Sequence, residues 1–143
     1  MSKFLKKYGL LILSALVLAG IFYLNRYSGT ARVKKGETLY KQHCSNCHGE
    51  NGEGLRKLIP PLAGNPNIPA GLENMPCTIR YGKNGPIKVN NQEYNQPMAG
   101  ISELEADEIK SVMDYILQTW YPETEPLSQK KISEKLGECA VTD

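Results

Sequence analysis

The stretch Cys44-Ser45-Asn46-Cys47-His48 constrains this chain more than any other. Two thiols three positions apart lie on one helical turn, placed to bond the two vinyl groups of a single haem. The histidine after the second thiol then faces the iron. Those bond angles leave the backbone little freedom, so the spacing itself carries information. Two other uses of a C-x-x-C pair fit less well. A zinc site needs a second pair of ligands at comparable spacing, and the remaining cysteines, Cys77 and Cys139, stand far apart. A thioredoxin-type pair sits near a strand–helix–strand pattern, and none surrounds residues 44–48. The pentad therefore reads as the attachment site of one haem c, bound covalently through Cys44 and Cys47, with His48 on the iron.

A chain of 143 residues holds one domain with extensions. Its charge is unevenly placed. Residues 1–31 contain Lys3, Lys6, Lys7 and Arg26 and no acid, while the rest has 13 basic and 15 acidic residues. That balance excludes a basic nucleic-acid surface. Tyr8 to Leu24 is an uncharged run of 17 residues, at the short limit for a transmembrane helix, with aromatic residues near its ends. The preceding lysines put the N-terminus in the cytoplasm and everything after Arg26 outside. A cleaved signal peptide is the competing reading, with Gly29-Thr30-Ala31 as its cleavage site. The uncleaved anchor is preferred, because Asn25, Arg26 and Tyr27 interrupt the approach to that site. Either reading exports the domain, where thiols meet oxidising conditions.

Val33, Gly36, Tyr40 and Cys44 fall at helical spacing, so residues 33–44 read as a helix that delivers the pentad. Gly36 weakens a helix, and close approach by another helix would account for it. Gly49, Gly52 and Gly54 mark an irregular loop after the histidine. The stretch from Gly36 to Gly49 (GETLYKQHCSNCHG) resembles the opening of a class I cytochrome c, and the whole is similar to the membrane-anchored bacterial type. Ile59-Pro60-Pro61-Leu62-Ala63-Gly64 resembles the loop of that family in which a proline carbonyl accepts a hydrogen bond from the histidine ligand. The match implies Pro60, with Pro61 the alternative. A metal-bound histidine wants its other ring nitrogen held in this way.

Residues 65–74 show no period and read as a loop. Met75 to Gly82 reads as a short helix, with Asn74 as cap, Pro76 in the first turn and Gly82 at the stop. Pro86 to Tyr94 reads as a hairpin turning at Asn90-Asn91. Arg80, Tyr81 and Tyr94 are candidate partners for haem propionates. For the sixth iron ligand, His43 is adjacent to Cys44 and cannot reach the opposite face. Met1 precedes the apolar run, and Met113 falls on the apolar face of the last helix. Met75 and Met98 remain. Tyr94 to Gly100 (YNQPMAG) resembles the family's ligand loop, which implies Met98.

Ser102-Glu103-Leu104-Glu105 reads as a capping box opening the last helix. Leu104, Ile109, Val112, Met113, Ile116, Leu117 and Trp120 form one apolar stripe, and Pro122 marks the stop. The resemblance implies that Gly36 and Tyr40 cross this helix at Val112 and Tyr115. Residues 122–143 form a tail in which Leu127, Ile132 and Leu136 can rest on the domain. Cys77 and Cys139 remain after haem attachment. In an exported chain they suggest a disulfide, with free or intermolecular thiols as the alternative.

The resulting expectation is an all-α, cytochrome c-like fold wrapped round one covalent haem, with a small β-hairpin insertion. Residues 1–31 would be the cytoplasmic N-terminus, anchor and linker, 32–121 the haem domain, and 122–143 an extension packed on it. The resemblance implies a His48/Met98-ligated electron carrier rather than an enzyme, held in the inner membrane with its haem domain on the periplasmic side. Its partners would be redox proteins: a terminal oxidase, a quinol-oxidising complex or an exported dehydrogenase or reductase. Two alternatives stay open: an electron-input subunit of a larger exported oxidoreductase, and a haem sensor with a displaceable methionine.

Overall fold

A computed structural model describes residues 2–140, and the side chains of residues 8–24 and 29–140. The lysines and arginine used above to orient the N-terminal segment, Lys3, Lys6, Lys7 and Arg26, lie outside the described side chains. The chain divides into two compact units, Met1–Ala31 and Arg32–Asp143. The first unit belongs to helix α1, Ser2–His43. Its apolar side chains from Leu10 to Leu24 are all exposed. A window of this helix reaches a mean hydropathy of 1.9, so by length and composition it is long and apolar enough to cross a membrane.

The second unit is mostly helical, with small pieces of sheet. The end of α1 leads into α2, Ser45–His48. Residues 65–74, expected as a loop, instead form a one-turn helix α3, Asn67–Ala70, and a 3₁₀ turn, Leu72–Asn74. The nucleus is local: Asn65 is buried, and its Oδ1 accepts the Asn67 amide at 3.0 Å. A single turn is too short to show a period in sequence. Helix α4, Met75–Tyr81, has proline in its first turn and Gly82 after its last residue, as its sequence suggested.

Four short strands follow: β1, Gly82–Lys83; β2, Ile87–Val89; β3, Gln92–Tyr94; and β4, Met98–Ala99. The expected hairpin is β2–β3, with Ile87 opposite Tyr94 and positive φ at Asn90 and Asn91. Its tip is tied to the loop below, because Asn90 Nδ2 donates to the Gly64 carbonyl at 3.1 Å. The second sheet, β1 against β4, was not expected. It pairs Lys83 with Met98 and Gly82 with Ala99.

Helix α5 spans Ala106–Trp120. Its cap is three residues later than the sequence suggested. Leu104 N donates to the Ile101 carbonyl at 3.3 Å, so residues 101–104 form a turn. The capping box is then Glu105 with Glu108, and the Glu105 amide donates to Glu108 Oε2 at 3.0 Å. Both patterns have an acid three residues after a cap, and the turn decides between them. The tail carries a helix missed in sequence, α6, Gln129–Cys139, capped by Ser128, whose Oγ accepts the Lys131 amide at 3.2 Å.

One core joins these helices: Leu39, Tyr40, Cys44, Leu72, Met75, Ile79, Leu104, Ile109, Val112, Met113, Ile116, Leu117, Ile132 and Leu136. The expected crossing of α1 and α5 is present, with one correction. A β-carbon on Gly36 would overlap the Ser111 carbonyl and come within 2.9 Å of Tyr115 Cβ, so Ser111, not Val112, faces the glycine. Val112 points into the core. Tyr40 then packs against Tyr115 and Trp120, with ring centroids 5.4 and 5.6 Å away. At the rim Lys35 meets Asp107 at 2.9 Å, and within α5 the buried Lys110 meets Asp114 at 2.8 Å.

Candidate haem-binding site

The pentad sits where α1 ends. The Cys44 amide still bonds back to Tyr40, at 2.8 Å, and the Cys47 and His48 amides bond to Cys44 in turn, at 3.1 and 2.9 Å. The helical path thus continues through both thiols with a break of one residue. Cys44 is buried in the core and Cys47 is exposed. Burial pushes the Cys44 thiol up to about 11, with the neighbouring Cys47 adding to the effect, so before haem attachment it is a neutral thiol.

His48 is 8% exposed. Its Nδ1 lies 3.1 Å from the Pro60 carbonyl. With Nδ1–H donating there, Nε2 is left as a lone-pair donor. Burial lowers the imidazole's proton affinity below its ordinary value, while the Pro60 bond works in the opposite sense and loses.

The loop that carries Pro60 is held from three sides. The Gly54 amide donates to the His48 carbonyl at 2.7 Å, and a β-carbon on Gly54 would lie 2.8 Å from the Pro60 carbonyl carbon. Gly54 has φ 72°, so glycine serves both the turn and the contact. Leu62 and Ala63 amides both donate to the Gly52 carbonyl, at 2.8 and 2.9 Å. The third hold is Tyr121, just past α5. Its hydroxyl donates to the Leu62 carbonyl and accepts the Asn65 amide at 2.7 Å. Sequence reasoning missed Tyr121, and no local pattern marks it.

Met98 is half-buried in β4, with its backbone paired to Lys83. Met75 and Met113, by contrast, belong to the hydrophobic core. Among the propionate candidates, Tyr81 turns to the tail, donating to the Leu136 carbonyl at 3.4 Å. Arg80 has a buried Nε with no hydrogen-bond partner. Such an orphaned donor calls for an acceptor. Cys77 and Cys139 are joined by a disulfide across 62 residues.

The residues fit a haem. Two thiols stand on one turn, one imidazole is held at Nδ1 with Nε2 left over, and a guanidinium nitrogen lacks the acceptor that a propionate provides. Among the described residues no three His, Cys, Asp or Glu side chains gather as a metal cage. The fold and site together define a small helical domain built to hold one covalent haem. A sequence profile of the cytochrome c family matches residues 33–120, and the chain belongs to that family. Cytochrome c-552 of Thermus thermophilus is 36% identical over 89 residues, covering 59% of this chain and 67% of that protein. The cytochrome c subunit of the quinone alcohol dehydrogenase of Gluconacetobacter polyoxogenes is 32% identical over 99 residues, covering 65% of this chain and 20% of that subunit. This chain accordingly carries one covalent haem c and has the electron-transfer role of its family.

Proposed function

We propose that this chain is a membrane-anchored electron carrier, with His48 and Met98 as the two axial ligands and its haem domain outside the cytoplasmic membrane. The observation that carries the ligation is the pairing of His48 Nδ1 with the Pro60 carbonyl at 3.1 Å. This bond fixes the ring's orientation and makes Nε2 a better donor. The haem iron supplies a one-electron couple, whose potential rises when methionine sulfur is an axial ligand. Cys44 and Cys47 would hold the macrocycle, Arg80 would donate to a propionate, and Met98 would offer its thioether from β4. With both axial positions filled by side chains, the residues move charge and transform no substrate. Exposed Cys47 lies on the edge open to solvent, where small transient electron-transfer contacts form. The apolar helix supports the anchor, and a tether raises the effective concentration near membrane redox partners such as a terminal oxidase or a quinol-oxidising complex.

Replacing Met98 by alanine is expected to abolish the methionine–iron charge-transfer band, lower the potential and open the ferrous form to carbon monoxide. A band that survives in Met98→Ala overturns the ligand assignment. The likeness to a dehydrogenase's cytochrome subunit favours a second reading, a fixed electron-input subunit of a larger oxidoreductase. Detergent purification separates the two: a stable catalytic partner supports the subunit, and a lone cytochrome supports the carrier.

A further inference from the structure

The tail grips the domain through α4. Helix α6 packs on α4 and α5 and buries Ile132 and Leu136 between them. At its end Cys139 is bonded to Cys77 of α4, and Tyr81 of α4 donates to the Leu136 carbonyl. The end of α4, in turn, is locked to the segment that carries Met98. A β-carbon on Gly82 would overlap the Met98 carbonyl, and one on Gly100 would lie 2.5 Å from the Arg80 carbonyl and 2.8 Å from Gly82 N. The Ile101 amide donates to the Ile79 carbonyl at 2.9 Å, and β1 pairs with β4. Backbone therefore meets backbone with no side chain between to absorb a shift. The backbone bonds and close approaches that tie α4 to the Met98 segment are made by Ile79 to Gly82 and Met98 to Ile101.

We propose that α6 and the Cys77–Cys139 bond position Met98: the tail is a strap that clamps α4, and α4 carries the methionine loop as one body. Cys77 and Cys139 are thus positioning residues for the face of the haem opposite His48. The inference rests on Met98 being the sixth ligand, as proposed above, and one of its two readouts is independent of that ligation.

The test uses the full chain with its haem and the double variant Cys77→Ser/Cys139→Ser. The first readout is the rate at which imidazole enters the ferric protein, which requires the methionine side to open. The second is amide exchange at Ile101, compared with Cys44 and Leu62 on the histidine side. The strap predicts imidazole entry and Ile101 exchange faster by about tenfold or more, with Cys44 and Leu62 unchanged. Equal acceleration at all three amides would make the bond a global stabiliser and overturn the proposal, as would no change at Ile101. If Met98→Ala keeps its charge-transfer band, the ligand assignment fails, and the Ile101 exchange alone decides the strap. Should the double variant not accumulate, the folded protein is reduced in place with dithiothreitol, which gives two electrons and two protons to the Cys77–Cys139 bond and cyclises to its own disulfide. Both cysteines line an open cleft of about 510 Å³, which admits the reductant. Ile101 exchange then reports as before.

Discussion

His48 has work on both edges of one ring. Nδ1 faces the Pro60 carbonyl, and the buried ring resists protonation. In the unfolded chain an imidazole titrates near its ordinary 6.5. The folded chain binds that proton only at lower pH, so His48 contributes stability above 6.5 that is lost as pH falls through the folded value. Iron at Nε2, in the ligation proposed above, would take the place of that proton, so the effect belongs to the haem-free chain. Urea midpoints of the haem-free chain measured from pH 8 to pH 4 are expected to hold steady first and then drop below about 6. As the proposed partner of a propionate, Arg80 would act through charge. Replacing it by leucine would then remove the cation beside the propionate, which favours the ferric form. A redox titration of Arg80→Leu should show a lower potential, and its pH dependence should grow as the propionate's carboxyl titrates more readily.

At the scale of elements, the α1–α5 crossing sets the frame. Gly36→Ala forces a methyl against the Ser111 carbonyl, and overpacking of this kind costs about 1–3 kcal/mol. Chemical denaturation of the variant measures it. The exposed Lys35–Asp107 pair beside it contributes at most about 1 kcal/mol. This crossing was legible because Gly36 costs a helix something and so demands a reason. The apolar stripe of α5 and the β2–β3 hairpin were legible for similar reasons: periodicity of 3.6 residues, and a turn pair that tolerates positive φ. The pentad was legible as a haem site because covalent chemistry fixes its spacing. What escaped depends on partners distant in sequence. The β1–β4 pairing brings together segments that show no strand pattern of two residues each. Tyr121 reaches back to Leu62 and Asn65, and the orphaned Nε of Arg80 exists only once α4 has packed. Helix α6 was hidden by its polar composition, since only Ile132 and Leu136 face inward.

Across the whole molecule, the apolar first unit and the haem-holding second unit are compact separately. The family match begins at residue 33, just inside the second. The covalent connectivity of that second unit has a consequence for resistance to proteolysis. The bond between Cys77 and Cys139 makes a closed ring of the peptide between them. Met98 lies within the ring, whereas Cys44, Cys47 and His48 lie on the open chain leading into it. A protease that cuts once anywhere between the two cysteines, at exposed Lys83 or Lys88 for instance, opens the ring without releasing a fragment. Trypsin-nicked protein is expected to run as one species of parental mass plus one water until reductant is added, and then to part into two. A chain built this way keeps His48 and Met98 on a single covalent body after any one cut between Cys77 and Cys139.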